Sequence, residues 1–152
     1  MDALTVLQPY ASALVAGVKP WENRGRHLFG CPRWITIHAG KRRFDFGGEA
    51  DFVLRDMEVF WPGMPTWDSM PLGAVLGVVR FTGSLSYSEC NSVSRSWWAC
   101  GPCCWRVGRY HALRVPVPCR GSLGIWKLPA EVECAVEAQL PADVLQAIRR
   151  GS

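Results

Sequence analysis

The chain has 152 residues, of which 49% are hydrophobic and 20% are charged, a balance that predicts one folded domain with a substantial core rather than a disordered chain. No apolar run reaches the roughly 18–20 residues of a membrane-spanning helix, and the 11 Pro and 15 Gly argue against coiled coils and other long helices. The net charge is +4. Because no basic and then apolar secretory signal follows Met1, we expect a cytoplasmic protein.

The first half of the chain contains alternating short helical and strand signals. Residues 9–16 (PYASALVA) predict a short helix that begins at Pro9 and ends before Gly17. A strand is expected at residues 21–26, and the alternating residues 33–39 (RWITIHA) predict another. Apolar residues spaced among acids at 45–60 predict a helix.

The second half predicts three more strands and two helices. Strands are predicted at residues 74–82, 110–117 and 123–128. The polar, Cys-rich segment 84–104 predicts a long irregular loop. Residues 131–139 and 142–149 predict short helices. The fold class is therefore α+β, a small barrel of five to six strands flanked by short helices. No P-loop or dinucleotide-binding fingerprint is present.

The basic residues are concentrated in two blocks. Residues 1–43 carry seven basic and two acidic side chains, and residues 90–130 carry six basic side chains and no acid. Residues 44–89 are acidic overall. Of the 17 basic residues 14 are Arg, the type suited to bidentate phosphate contacts and to stacking. If the fold joins the two blocks, they form a groove for a polyanion; the alternative is a solvated surface with local ion pairs.

The most informative stretch is Gly17 to Arg24, which fits the pattern GxKxxExR. In a strand, Glu22 and Arg24 point to one face and Trp21 to the other. Lys19 near a cation and a partly desolvated wall is a candidate base, Glu22 a candidate acceptor from a nucleobase, and Arg24 a phosphate ligand or a support for Glu22. We expect the three groups to converge on an open hollow. The alternative is a Glu22–Arg24 ion pair that only seals one end of the barrel, with Lys19 in solvent.

Four segments resemble, in order, the motifs of the ASCH domain family, a branch of the PUA-like β-barrels. They are the GxKxxExR stretch, residues 37–41 (IHAGK), residues 71–77 (PLGAVLG), and residues 116–121 with 124–128. The resemblance covers about residues 4–129 and implies a single ASCH/PUA-like domain over residues 1–152, with C-terminal helices at 130–150. It also implies a cleft lined by the GxKxxExR residues and used on RNA, single-stranded nucleic acid or modified nucleosides.

We therefore predict binding of RNA or single-stranded nucleic acid, with a modified nucleoside as a possible ligand and no cofactor. One alternative is a metal-independent hydrolase, a ribonuclease or nucleoside amidohydrolase, that uses Lys19 and Glu22. In the amidohydrolase branch that the resemblance suggests, a threonine nucleophile stands where this chain has Glu22, and a carboxylate does not replace a hydroxyl. Another alternative is a protein-interaction module. Whether the chain is an enzyme stays open.

The predicted site extends beyond the central motif. The nucleic-acid-binding set is Lys19, Glu22, Arg24, Arg26, Trp21, Tyr10, Lys41, Arg42 and Arg43. In this set Lys41–Arg43 is either a phosphate clamp on the rim of the same cleft or a solvated turn. Trp21 either stacks on a base or packs in the core. His38, outside the set, is expected to be a hydrogen-bonded structural residue.

The seven cysteines are an odd number, and without an export signal reduced thiols are expected. Cys100 and Cys103 form one CxxC pair, with Cys90, His111 and Cys119 nearby in sequence. Zinc sites usually need a second ligand pair at its own tight spacing, which is missing. We predict no metal site. Three interpretations of this segment stay open: a zinc site, an oxidation-sensitive thiol pair, or ordinary loop cysteines.

Overall fold

The computed structural model describes residues 1–151, with the side chains of residues 50–52 left aside; Ser152 lies outside the described residues. The strands are β1 (Asp2–Gln8), β2 (Trp21–Arg24), β3 (Arg33–Arg43), β4 (Ala74–Ser86), β5 (Cys103–Pro118) and β6 (Ile125–Lys127). The α-helices are α1 (Tyr10–Val15), α2 (Ala50–Phe60), α3 (Tyr87–Ser94), α4 (Ala130–Glu137) and α5 (Ala142–Arg150), and a short 3-10 helix spans Trp67–Ser69. Among the described residues, no helix combines the length and apolar character needed to cross a bilayer.

The six strands form one mixed sheet in the order β2-β5-β4-β3-β1-β6. All neighbouring pairs are antiparallel except β1 with β3, which run parallel. The predicted α+β class is therefore confirmed. Strand β1 was not among the predicted elements: its apolar residues occupy a short segment next to a helix signal, and its pairing with β3 joins residues that are far apart in sequence.

Apolar clusters cover both faces of the sheet. Along β3, Ile35 and Ile37 pack into a cluster that also contains Leu14 of α1, while the alternating Thr36 and His38 point to the other face. On that other face, α4 and α5 bury Val136 and other apolar side chains against the sheet. The two C-terminal helices are thus confirmed, and they explain why the outward face of the sheet is also apolar.

The sheet does not close into a barrel through hydrogen bonds. β2 and β6 are its two edge strands, and Arg24 at the end of β2 and Ile125 of β6 line the same cleft. Leu4 and Leu28 share one apolar cluster with Trp105 of β5, so the sheet wraps around a common interior. The strands thus curve into a barrel-like sheet that keeps an open seam between its two edges.

The predicted irregular loop at residues 84–104 is wrong. β4 continues to Ser86, α3 occupies Tyr87–Ser94, and β5 already begins at Cys103. The start of α3 is a capping box, in which the Ser86 hydroxyl accepts from the Glu89 backbone N–H and the Glu89 carboxylate accepts from the Ser86 N–H. This Ser-x-x-Glu signal is present in the sequence and outweighs the low apolar content of the helix.

Candidate functional site

The connection from α1 to β2 places Lys19. The buried Gln8 side chain accepts from the Ser12 N–H at 3.1 Å and donates to the Ser12 hydroxyl at 2.8 Å, which holds the first turn of α1. Gly17 follows the helix at φ +78°, and a Cβ there would lie 1.9 Å from the ring of Tyr110. Only glycine satisfies both the backbone angle and this close approach. The Lys19 backbone N–H then donates to the Ala13 carbonyl at 3.2 Å.

Lys19, Glu22 and Arg24 do converge. The Lys19 ammonium donates to Glu22 Oε2 at 2.8 Å and to the Trp21 carbonyl oxygen. Glu22 Oε1 accepts from Arg24 Nη1 at 3.4 Å. One carboxylate therefore lies between two cations, an arrangement in which each charge of the inner pair has a partner.

The inner pair is enclosed rather than open to water. Lys19 and Glu22 are 2% and 3% exposed, whereas the Arg24 side chain keeps 27% of its surface. The expected open hollow beside all three groups is therefore absent at Lys19 and Glu22, and only the guanidinium faces outward. The charges meet as predicted but form an internal ion-pair chain, and Lys19 is buried rather than in solvent as the alternative expected.

Aromatic rings pack around the ammonium. The Tyr10 ring centroid is 5.6 Å from Lys19 Nζ. Three rings, Phe44, Phe46 and Trp98, make edge-on contacts with Tyr10 at centroid distances of 5.3, 6.4 and 6.4 Å. Burial, with smaller contributions from the neighbouring Cys100 and Glu22, raises the pKa of Tyr10 to about 12. The tyrosine hydroxyl therefore stays protonated, and Tyr10 acts here as a packing ring beside the cation.

An open cleft lies at the outer end of this chain of charges. We call it the edge cleft; it has a volume of about 500 Å³ and separates the β2 and β6 edges of the sheet. Its polar lining is Arg24, Arg26, His27 and Arg33, and its apolar lining includes Leu4, Phe29, Trp105 and Ile125. None of the described residues that line it is acidic. The cleft therefore combines guanidinium groups with an apolar wall.

Two of the three guanidinium groups in the edge cleft are paired with carboxylates. Arg24 is bound to Glu22 and lies 5.9 Å from the Trp105 ring centroid, and Arg33 is paired with Asp2. Although burial opposes it, the hydrogen bonds from Lys127 and Arg33 lower the pKa of Asp2. The exposed Arg26 side chain forms no ion pair with any of the described residues. Arg26 is thus the cation in the cleft with the most freedom to meet an anion.

Trp21 lies on the far side of β2. Its side chain is 5% exposed and packs with Cys90, Ala99 and Cys104, so its ring has the core role that we weighed against stacking. The neighbouring exposed rings are Phe60 and Trp97, which did not figure among the predicted site residues.

Residues Lys41–Arg43 do not lie at the edge cleft. They continue β3 instead of forming a turn, so alternate side chains point to opposite faces. Lys41 borders a separate depression with Arg120, and Arg43 lies 5.5 Å from the Trp67 ring centroid, with its Nη2 3.9 Å from Asp68. Arg42 is exposed. The three cations are therefore not placed as one clamp beside Lys19.

His38 is a satisfied interior residue. Thr5 Oγ1 lies 3.3 Å from its Nδ1 and the Cys119 carbonyl oxygen 3.2 Å from its Nε2, while Trp126 Nε1 donates to Thr5. Burial lowers the pKa of His38, so the ring is neutral at pH 7, with Nε2–H donating to the Cys119 carbonyl. This agrees with the structural role expected for it.

The cysteines around Asn23 form a set of free thiols. Cys100 is exposed and accepts from Asn23 Nδ2 at 3.2 Å, and the thiol of the buried Cys104 donates to Asn23 Oδ1 at 3.7 Å. Burial and the neighbouring Cys90 raise the pKa of Cys104 to about 11, which leaves it a protonated thiol. Cys103 is also buried. Among the described residues, no group of three or more His, Cys, Asp or Glu side chains is arranged to hold a metal ion.

Comparison with solved structures identifies the architecture. No protein-family model and no curated protein sequence matches this chain. The crystal structure of ASCH from Zymomonas mobilis superposes with a TM-score of 0.55 at 12% sequence identity, over 90% of this chain and 93% of that one. A tyrosine-to-phenylalanine mutant and a serine-to-alanine mutant of the same protein give TM-scores of 0.54 and 0.55, also at 12% identity and over 90% of this chain, and cover 96% and 94% of theirs. The chain therefore has the fold of the ASCH proteins, as its motif order predicted.

Proposed function

We propose that the protein binds single-stranded RNA through the edge cleft, with Arg26 and Arg24 on phosphate groups and Phe29 against a base. The observation that carries this proposal is a solvent-open cleft whose lining has three Arg, one His, an apolar wall and no acidic residue. Its volume of about 500 Å³ lies in the ordinary range of ligand sites.

The chemistry of the lining suits a nucleotide. Guanidinium groups make bidentate, charge-assisted hydrogen bonds to phosphate. Phe29 is 80% exposed, so its ring is available to an unstacked base. A duplex keeps its bases stacked inside, whereas a single strand presents both base faces and phosphates to such a cleft.

The buried ion pair has a positioning role in this proposal. Arg24 contributes to the cleft, and Glu22 holds its guanidinium while Lys19 balances the charge of the carboxylate behind it. A binding group held in one orientation loses less side-chain entropy when the ligand arrives. The GxKxxExR pattern thus supports the site without its Lys and Glu touching the ligand.

We propose binding rather than cleavage. Hydrolysis by Lys19 and Glu22 requires a substrate to reach two side chains that are 2% and 3% exposed and already bonded to each other. General acid–base catalysis needs direct hydrogen-bond reach to the reacting group, or reach through one water. Arg24 and Arg26 instead present accessible guanidinium groups, which are suited to holding an anion.

The test is the affinity of a labelled oligouridine of about 12 nucleotides, measured by fluorescence anisotropy at several salt concentrations. Replacing Arg26 by Gln is expected to weaken binding about tenfold and to reduce the slope of log K against log salt by about 1. Arg114→Gln is the matched control, because Arg114 is an exposed arginine on β5 outside the edge cleft and carries the same charge. It should stay within about twofold of the unmodified protein.

Three outcomes contradict the proposal. The first is an equal loss of affinity for Arg26→Gln and Arg114→Gln, which would mean that net charge alone drives binding. The second is equal affinity for a duplex of the same length. The third is equal affinity for an acidic peptide, the result expected of a protein-interaction module.

A further inference from the structure

A second depression lies on the opposite side of β2 from the edge cleft. It has a volume of about 530 Å³ and is lined by Phe60, Trp97, Arg95 and Arg106, together with the less exposed Trp21 and Trp98. We call the set Phe60, Trp97, Arg95 and Arg106 the aromatic platform. None of the described residues that line the depression is acidic.

The rings of the platform are exposed and already stacked. Phe60 and Trp97 are 48% and 42% exposed, with ring centroids 5.3 Å apart and an interplanar angle of 15°. Exposed large aromatic rings next to each other are uncommon on a protein surface unless they meet a partner. A planar nucleobase extends such a stack as a third ring.

The loop that carries Trp97 is anchored at several points. Trp98 makes an edge-on contact with Trp97 at 4.9 Å and is itself buried in the cluster that contains Met57. Asn23 of β2 donates to the Trp98 carbonyl at 2.8 Å, and its Oδ1 accepts from the Cys100 and Gly101 backbone N–H groups. The Trp97 ring is therefore positioned before a ligand arrives, which lowers the entropic cost of binding.

Two arginines flank the rings. Arg95 follows α3 in the left-handed conformation, at φ 41°, and Arg106 lies directly opposite Trp21 in the β2–β5 register. Both side chains are exposed, and neither forms an ion pair with a described residue. Stacked rings beside unpaired guanidinium groups match the chemistry of a base and its phosphate, and the missing carboxylates disfavour a basic partner.

The two sites lie close together around a free strand edge. β2 is an edge strand, Arg24 lies opposite Cys103, and Arg106 is three residues further along β5. At 3.3 Å per residue this separates the two register positions by about 10 Å along the strand. The side chains of the two sites point to opposite faces of β2, so a flexible single strand that passes around this edge contacts both.

We infer that the aromatic platform is a second contact for single-stranded nucleic acid, and that one strand occupies the platform and the edge cleft together. This inference takes the ligand class from the proposed function, but it rests on different residues. It predicts a length threshold, because joining two sites on one ligand raises the affinity sharply once the ligand spans both.

The test compares uridine monophosphate with oligouridines of increasing length, measured by anisotropy for the labelled oligomers and by competition for the mononucleotide. Trp97→Leu should weaken binding of the longest oligomer about 10-fold to 100-fold and remove the length threshold, because it deletes the stacking ring. Trp97→Phe keeps a ring and should restore most of the affinity. Arg106→Gln should weaken binding and reduce the salt slope by about 1, with Arg114→Gln as the matched control.

The pattern of variants separates the two proposals. If Arg26→Gln weakens binding while Trp97→Leu and Arg106→Gln stay within twofold, the platform is refuted and the edge cleft stands. If the platform variants lose binding and Arg26→Gln does not, the edge cleft and the joint occupancy are refuted, and the platform stands as a separate contact. Equal losses for Trp97→Leu and Trp97→Phe would assign the ring to packing and overturn the inference, as would acidic-peptide binding that depends on Trp97.

Discussion

Removing the Lys19 ammonium should destabilise the protein strongly. Lys19→Met keeps the apolar stem but leaves the Glu22 carboxylate, 3% exposed, with only the 3.4 Å contact to Arg24. Loss of one partner from a buried ion pair typically costs about 3–5 kcal/mol, because the remaining charge stays out of water. We expect the lower end, about 3 kcal/mol, since Arg24 still compensates part of the charge. This is a large fraction of the roughly 5–15 kcal/mol that stabilises a typical domain.

The assay is urea unfolding followed by circular dichroism, with the free energy of unfolding extrapolated to water. A double-mutant cycle with Glu22→Met and the combined variant Lys19→Met/Glu22→Met isolates the pairwise energy. The combined variant should be closer in stability to the unmodified protein than Lys19→Met is, because replacing both charges leaves no buried charge without a partner.

Two results would refute this reasoning. A cost below about 1 kcal/mol for Lys19→Met would mean that the pair behaves like an exposed one. A combined variant as unstable as the sum of the two single variants would mean that the two side chains do not act as a pair. If Lys19→Met does not fold, Glu22→Gln is measured in its place, because it breaks the same ion pair from the carboxylate side and keeps the side-chain shape.

Two further predictions concern His38 and α3. Burial lowers the pKa of His38 below 6.5, so the unfolded chain binds this proton more readily than the folded chain. The free energy of unfolding should therefore have its full value above pH 6.5. It should fall as the pH drops from 6.5 toward the lower pKa of the folded state. The carboxyl groups with lowered pKa values, Asp2, Glu89 and Asp143, titrate below about pH 4.5 and do not contribute in this range. Urea unfolding at pH 7, 6 and 5 should therefore show the fall in unfolding free energy in the unmodified protein and a smaller fall in His38→Gln. Ser86→Ala removes the capping box that Ser86 forms with Glu89 and should cost about 1 kcal/mol of unfolding free energy, whereas Ser92→Ala on the exposed face of the same helix should stay within about 0.5 kcal/mol. Equal effects for the two serine variants would contradict the capping role.

Local signals in the sequence were enough for several elements. The helix that ends before Gly17 was predictable, because its stop signal lies within a few residues of the element itself. The alternation along β3 and the two C-terminal helices were predictable for the same reason. The capping box of α3 belongs to this class as well, and it was missed because the low apolar content of the segment was given more weight.

Part of the candidate site could also be predicted from the sequence. The spacing of Lys19, Glu22 and Arg24 predicted that their charged groups meet, since β-strand geometry places Glu22 and Arg24 on the same face. Their burial was not predictable, because burial depends on which distant rings pack over them. Tyr10 is close in sequence, but Trp98, which packs against it, lies far from it along the chain.

The sequence alone determined the order of motifs, the charge blocks and the positions where the chain turns, since each depends on neighbouring residues. Tertiary structure decided the rest. The parallel pairing of β1 with β3 joins distant segments, and the extension of β3 through Arg43 directs Lys41 and Arg43 away from the predicted clamp. It also determined that Trp21 is buried while Trp97 is exposed, because the exposure of a ring depends on what packs against it and not on its own chemistry.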